Sequence, residues 1–257
     1  NYFTLLRSKP MVTFVMNLRK QLLINFSRFI TPLAAALFLL GSCGEHAAFK
    51  QNISEGTIEY EVTYPELDSS NILLEMLPDK MVMKFKKDKY RSELKTAAGI
   101  IEMAVVADRS EEKMYNLVKI FSDRYVLEMD KEEALKMTST LPAFNIVNTD
   151  VQLTIAEAKC NKIELDFEGS DLDNFEFCYT DEIDLLEPNW CTPYNEVGGV
   201  FLDYRIENYG MKMRLKAIRI ISEEIDDEEF TISDEYKSVT AEEFDKLVVK
   251  NMEISLE

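Results

Sequence analysis

The sequence predicts a mostly β protein: one curved antiparallel sheet with a few short helices, preceded by a lipoprotein signal peptide. Three observations carry this. Residues 1–42 hold Arg7, Lys9, Arg19, Lys20 and Arg28 and no acidic side chain. Those are five of the 29 basic residues in the chain, so 24 basic face 47 acidic residues from position 43 onward, a net charge of −23. Such a boundary beside an apolar run marks a targeting segment rather than a domain. Downstream, apolar residues recur at every second position, and the runs are punctuated by turn-forming residues at short, regular spacing, the pattern of a meandering sheet that curls or closes.

The leader comes first. Leu33–Leu40 reads LAAALFLL, too short for the roughly 20 residues that span a bilayer but suited to the apolar core of a secretory signal, about 7–15 residues. Leu40-Gly41-Ser42-Cys43 resembles a bacterial lipobox. The resemblance implies cleavage before Cys43, lipidation of its thiol and acylation of the freed amine. One acyl chain holds a membrane only marginally and two or more anchor stably, because each buried CH₂ contributes about 0.8 kcal/mol. The chain opens on Asn1, and Met11 or Met16 is the expected initiator. The expected organisation is signal peptide 1–42, lipidated tether 43–55 and a single β-rich domain 56–257. Gly44-Glu45-His46 is not an acidic cluster resembling a surface-export signal, which favours a periplasm-facing site on the outer membrane.

The strands follow in order. Ile58, Tyr60, Val62 and Tyr64 alternate with Thr57, Glu59, Glu61 and Thr63, a period of two. Met81, Met83 and Phe85 alternate with Val82, Lys84 and Lys86, and Asp88-Lys89 turns into 90–96. The continuous apolar run 99–107 predicts a central strand covered on both faces. Hairpins are expected at 113–120 with 124–129, at 158–167 with 174–180, and at 199–207 with 211–222. Helices are expected at 70–77, ending before Pro78, at 131–139 and at 241–249. For the last, Thr240 and Glu243 make a capping box, and Phe244, Leu247 and Val248 form an apolar stripe.

The order GTIEYEVTYP, LPDKMVMKFKKDKYRSE, TIAEAKCNKIEL, FEFCYTDEI and PYNEVGGVFLDYRIENYGMKMRLKAIRI resembles a group of Bacteroidota lipoproteins with a domain of unknown function and a LolA-like fold, over roughly residues 54–236. The resemblance implies an unclosed half-barrel with short helices over its concave side, and proteins of the LolA and LolB kind bind acyl chains or other apolar ligands there. Where the group often shows Gly-Tyr-Lys-Cys, this chain has Glu157-Ala158-Lys159-Cys160.

The chemistry available is narrow. His46 is the only histidine and sits beside the lipidation site, which excludes Ser-His-Asp and Cys-His catalysis in the body and a histidine-based zinc centre. Gly198-Gly199 is an isolated pair and no phosphate loop, and the acidic balance excludes nucleic acid as a partner. Carboxylates crowd at Asp181-Glu182-Ile183-Asp184 and at Glu223–Glu229. They read either as an acid/base pair or Ca²⁺ site or as solvated surface, and the second reading is preferred. Cys160, Cys178 and Cys191 remain after Cys43. Cys160 and Cys178 fall on the two strands of one hairpin, either can pair with Cys191, and all three can equally be buried free thiols. Met81, Met83, Phe85, Met211 and Met213 are the candidate contacts for an apolar ligand, with ordinary core as the alternative. The expectation is a membrane-anchored, non-enzymatic envelope lipoprotein without metal or cofactor. It binds an apolar or lipid-like ligand in the curved sheet or, alternatively, serves as an interaction or scaffold subunit for an envelope protein; a carboxylate-dependent hydrolase ranks third.

Overall fold

The computed structural model describes residues 52–68, 72–75, 77–96, 99–138, 143–167, 174–208 and 211–256. Gln51–Glu257 fold as one unit, and the lipobox Leu40, Gly41, Ser42 and Cys43 lies outside the described residues.

The alternation at Ile58, Tyr60 and Val62 becomes β1 (Glu55–Thr63), whose alternate side chains are buried. It is followed by β2 (Lys80–Lys86), β3 (Lys89–Lys95), β4 (Ile101–Asp108), β5 (Lys113–Ile120) and β6 (Asp123–Asp130), then β7 (Asn145–Ile155), β8 (Ala158–Asp166), β9 (Phe175–Thr180), β10 (Val200–Asn208), β11 (Met211–Ser222) and the two-residue β12 (Lys237–Ser238). All belong to one sheet in the order β12-β6-β5-β4-β3-β2-β1-β11-β10-β9-β8-β7. Two antiparallel meanders, β1–β6 and β7–β11, are thus joined where β1 lies beside β11, and among the named strands β12 pairs with β6 in parallel. The join is close: a Cβ on Gly56 would stand 2.1 Å from the Ile221 carbonyl oxygen.

The sheet is curved and unclosed, and connectivity shows why it curves. In the order above, β6 and β7 are ten strand spacings apart, about 48 Å if the sheet were flat. The chain between Asp130 and Asn145 holds an eight-residue helix, α1 (Lys131–Thr138). At about 1.5 Å per helical and 3.4 Å per extended residue it reaches at most about 36 Å, so the strand ends must curl toward each other.

Helix α1 starts on a reciprocal cap: the Glu133 N–H donates to Asp130 Oδ1 (2.9 Å) and the Asp130 N–H to Glu133 Oε2 (3.1 Å). The capping box of α2 (Ala241–Leu256) forms as expected, with the Thr240 N–H 2.9 Å from Glu243 Oε2 and the Glu243 N–H 3.3 Å from Thr240 Oγ1. Of the helix expected over 70–77, Ile72–Glu75 form a 3₁₀ turn, while residues 70, 71 and 76 lie outside the described residues. Pro78 ends the run there, because its ring and missing N–H cannot continue a helix.

Cross-strand register places Phe85, Tyr90, Ala107 and Met114 in one row, defining an inner face. Two apolar clusters lie on it, around Ile58, Tyr60, Phe85 and Leu215, and around Met114, Val118, Trp190 and Phe244. A third, around Ile163, Phe177 and Phe201, joins the first through Tyr204, whose ring meets Tyr60, Phe177 and Phe201. Val106, Leu117 and Val126 alternate with inner-face residues and so point outward, where Ile225 and Phe230 cover them. β4 is therefore covered on both faces, as its apolar run predicts.

The outer cover is a strap after β11. Thr57 Oγ1 donates to Glu223 (2.6 Å), the Ile225 N–H to Glu55 (3.1 Å), and Lys86 Nζ to the Ile225 carbonyl (2.6 Å), with Asp227 3.0 Å away. Lys84 pairs with Glu229 at 2.6 Å. The chain then runs along the β6 edge as β12 and returns over the inner face as α2, burying Phe244 and Val248. Half-exposed ion pairs contribute about 0–1 kcal/mol each, whereas burying Ile225 and Phe230 contributes about 1.5–3 kcal/mol each. Apolar contact holds the strap, and the charges set its register.

Candidate functional site

The inner face, where the resemblance places an apolar ligand, is occupied by the protein itself. Nineteen residues, 181–199, connect β9 to β10. Ile183 and Leu185 enter the first inner cluster, Trp190 and Cys191 the second, and Tyr194 and Val197 the third. Buried Asn189 folds this loop by donating to the carbonyls of Val197 (2.8 Å) and Gly199 (2.9 Å), while its own carbonyl accepts from Thr192 Oγ1 (2.9 Å). Gly199 closes it: a Cβ there would stand 2.4 Å from the Tyr179 ring and 2.6 Å from the Thr180 carbonyl oxygen. Arg109 holds the rim, pairing with Glu187 at 2.6 Å and lying 5.9 Å over the Trp190 ring.

Met81, Met83, Phe85 and Met213 are all buried within the first cluster, and Met83 Sδ lies 3.9 Å from the Tyr60 hydroxyl. The structure thus brings four of the five candidate ligand contacts together; the side chain of Met211 lies outside the described residues. One cavity among the described residues measures about 10 Å³ and is lined by Arg91, Glu93, Lys95, Glu102 and Tyr236. It has room for about one water and a charged lining.

Cys160, Cys178 and Cys191 are buried and unbonded, so the candidate disulfides are not formed here. The reason is register: Lys162, not Cys160, stands opposite Cys178. That leaves the two cysteines on a diagonal, about 7–8 Å between Cα atoms, beyond the usual disulfide span of about 4.4–6.8 Å. Cys191 sits in a different cluster from both. Burial pushes the Cys160 thiol up to about 12 and raises those of Cys178 and Cys191, away from the thiolate that a nucleophile needs.

The acidic runs are drawn into structural contacts. Asp181 accepts from Asn161 Nδ2 (3.0 Å), and its carbonyl accepts from Asn52 Nδ2 (3.0 Å). Ile53 bridges to Ile183, which ties the segment before β1 to the start of the loop. The 223–229 run is the start of the strap. Among the described residues no group of three His, Cys, Asp or Glu is placed to hold a metal ion. Five carboxylates have their acidity displaced downward, whereas a general acid needs a raised value. Arg219 lowers Glu59, Lys86 lowers Asp227, and the Thr240 N–H lowers Glu243. At Asp108 and Glu93, burial pushes upward but is outweighed, by Lys89 and Ser110 at the first and by Lys95 and Arg91 at the second.

Sequence reading missed both the loop as a core element and the strand β7. β7 is paired only with β8 and ends the sheet. Residues 150–154 are all exposed, with Val151 and Leu153 more than two-fifths open to solvent. The opposite end is closed by β12. Among the described residues no helix is long and apolar enough to cross a membrane. Compared with known proteins, the chain matches no family model and no curated sequence.

Proposed function

We propose that this is a lipid-anchored, non-enzymatic protein of the cell envelope that works as an interaction subunit, held at the outer membrane through Cys43 and presenting its folded body to the periplasm. One observation supports it above the others: loop 181–199 fills the inner face, so among the described residues the surfaces left open are the β7 edge and the part of the outer face beyond the strap. The reading calls for no cofactor and no nucleic acid, and its partners are the membrane and a protein of the envelope. The test has two arms. Intact-mass analysis of the native protein should find an N-terminal, acylated Cys43, and Cys43→Ser should move the body from the membrane to the soluble fraction. Crosslinking in cells should then recover one stoichiometric partner that is lost on mislocalisation. A bare Cys43 thiol refutes the anchoring, and only a scatter of abundant proteins refutes the interaction role.

A second reading keeps the resemblance to LolA-like proteins: an apolar or lipid-like ligand binds against Met81, Met83, Phe85 and Met213 when loop 181–199 withdraws. The gathering of these flexible side chains under one irregular loop favours it. Native mass spectrometry of the Cys43→Ala form tests it, since co-purifying lipid supports the reading and a bare protein mass counts against it.

A further inference from the structure

We infer that two adjacent hairpin tips, carrying Ile100 and Phe121, dip into the lipid bilayer that holds the Cys43 anchor. The inference rests on the anchoring proposed above and adds how the body sits on that membrane. Phe121 is 70% exposed and Ile100 42% exposed, and the Phe121 N–H donates to the Ile100 carbonyl (2.9 Å). The turns β3–β4 and β5–β6 thus present one small apolar tip. Phe121 also has a φ of 54°, a left-handed backbone that a β-carbon disfavours. The other non-glycine residues with positive φ, among the described residues, are Lys87, Glu112, Ala156, Glu157 and Glu187. Of these six, Phe121 alone holds a large apolar side chain out in water on a strained turn. Neither the strain nor the exposure serves the core, and together they mark a place of contact.

Three observations select lipid as the occupant. The first is area. The open parts of the two side chains come to about 200 Å², far below the roughly 800 Å² per partner of a stable protein interface. A bilayer, by contrast, takes in apolar side chains without a complementary surface. The second is charge. Residues 95–102 and 119–124 carry Lys95, Lys119 and Arg124 against Glu102 and Asp123, three basic and two acidic, a net +1 in a chain of −18. Lys119 pairs with Glu102 (2.7 Å), Lys95 with Glu93 (3.0 Å), Arg124 with Glu235 (3.4 Å) and Asp123 with Lys237 (3.4 Å). Each flanking charge is therefore already matched within the chain. The opposite strand ends lead into Asp181, Glu182, Asp184, Glu187, Glu223 and Glu224, which anionic headgroups repel. The third is reach. The nine residue steps from Cys43 to Asn52 span at most about 32 Å. The eight residues of β5, which run from the acidic end to the tip, span about 27 Å. A tether drawn along the sheet therefore lets the tip meet the bilayer that holds Cys43.

The test uses the acylated full chain in vesicles of phosphatidylethanolamine and phosphatidylglycerol. Ser122→Cys places a fluorescent label beside Phe121, and Glu111→Cys places one at the other end of β5. Cys160, Cys178 and Cys191 are buried and escape labelling. The label at 122 should be quenched by brominated acyl chains and shielded from aqueous iodide, and the label at 111 should show the reverse. Phe121→Asn should abolish that difference. Asn tolerates the left-handed region, so Tm should not fall. In a second measurement the Cys43→Ala chain should partition into the same vesicles at high lipid. Phe121→Asn should weaken that partition about tenfold or more, the change that burying one large apolar side chain carries. Equal iodide access at the two labels overturns the inference. So do lipid contact and partition that Phe121→Asn leaves unchanged. Shielding of position 122 in native membranes but not in these vesicles overturns it too, because a protein then covers the tip. A bare Cys43 thiol refutes the anchoring by itself, while partition of the unanchored chain still decides the tip, so the two proposals fail separately.

Discussion

The turn between β7 and β8 gives the sharpest test of the backbone. Ala156 and Glu157 both have positive φ, 48° and 67°, the arrangement of a type I′ hairpin turn, which is normally built from Asn-Gly. A β-carbon in the left-handed region costs about 1–2 kcal/mol, and here two consecutive residues bear it. Glu157→Gly removes one such cost but loosens the unfolded chain by about 0.4–1 kcal/mol. The expected net gain is about 0.5–1 kcal/mol. Ala156→Asn adds a smaller increment, because Asn tolerates this region. Together they should stabilise by about 1–1.5 kcal/mol, a rise of about 3–5 °C in Tm for a body of this size. The assay is thermal unfolding by circular dichroism in the Cys43→Ala background. Glu157→Ala is the control, since it removes the carboxylate and keeps the β-carbon, so it should bring no gain. A fall in Tm for Glu157→Gly would refute the left-handed turn and with it the register of β7 on β8. Glu157 thus holds, at an energetic cost, a conformation that glycine adopts freely.

Three further outcomes follow from the packing. Gly56→Ala should destabilise by about 2 kcal/mol or more, read as a lower denaturant midpoint, because its Cβ would meet the Ile221 carbonyl oxygen at 2.1 Å and force β1 from β11. Asp108 accepts from Lys89 (2.8 Å), Ser110 (2.7 Å) and the Glu111 N–H (3.1 Å). Its lowered value means that its stabilisation is complete above the unfolded value near 3.9 and is lost as pH falls through the folded one. Asp108→Asn should therefore cost about 1–3 kcal/mol at neutral pH and flatten the acid limb of an unfolding titration, and an unchanged limb would count against the contact. Cys160, Cys178 and Cys191 should resist iodoacetamide in the native Cys43→Ala form and all react in denaturant; rapid native labelling of any of them would contradict their burial.

How much is legible in the sequence depends on how each segment is buried. β1 declares itself because one of its faces is wholly apolar, and β4 because both faces are. The capping boxes at Asp130 and Thr240 are local, so spacing alone locates the helix starts. β7 is only partly legible: Asp150, Gln152 and Thr154 alternate with Val151, Leu153 and Ile155, but Asn148 and Thr149 interrupt the period where the bulge falls. Loop 181–199 hides for another reason. Ile183, Leu185, Trp190, Cys191, Tyr194 and Val197 serve three clusters in turn, so they share no period, and the carboxylates of 181–184 give the segment the look of solvated surface. The available signal is a Trp, a Cys and a Tyr packed around Pro188 and Pro193, a density of large side chains that a solvated loop has no reason to carry.

The two ends of the sheet show how one acidic chain treats two like hazards differently. At β6 the protection takes many residues: the strap, β12 and α2 carry the chain from Glu223 to Leu256. They bring carboxylates that Lys84 and Lys86 neutralise and apolar residues that cover both faces. At β7 the described residues provide Asp150 and a bulge, beside the net negative charge of the chain. Charge repulsion weakens as salt rises and vanishes against a neutral or basic strand, whereas a covering helix blocks every partner alike. At β6 the segment from Glu223 onward therefore protects the sheet against any added strand, whatever its charge and whatever the salt.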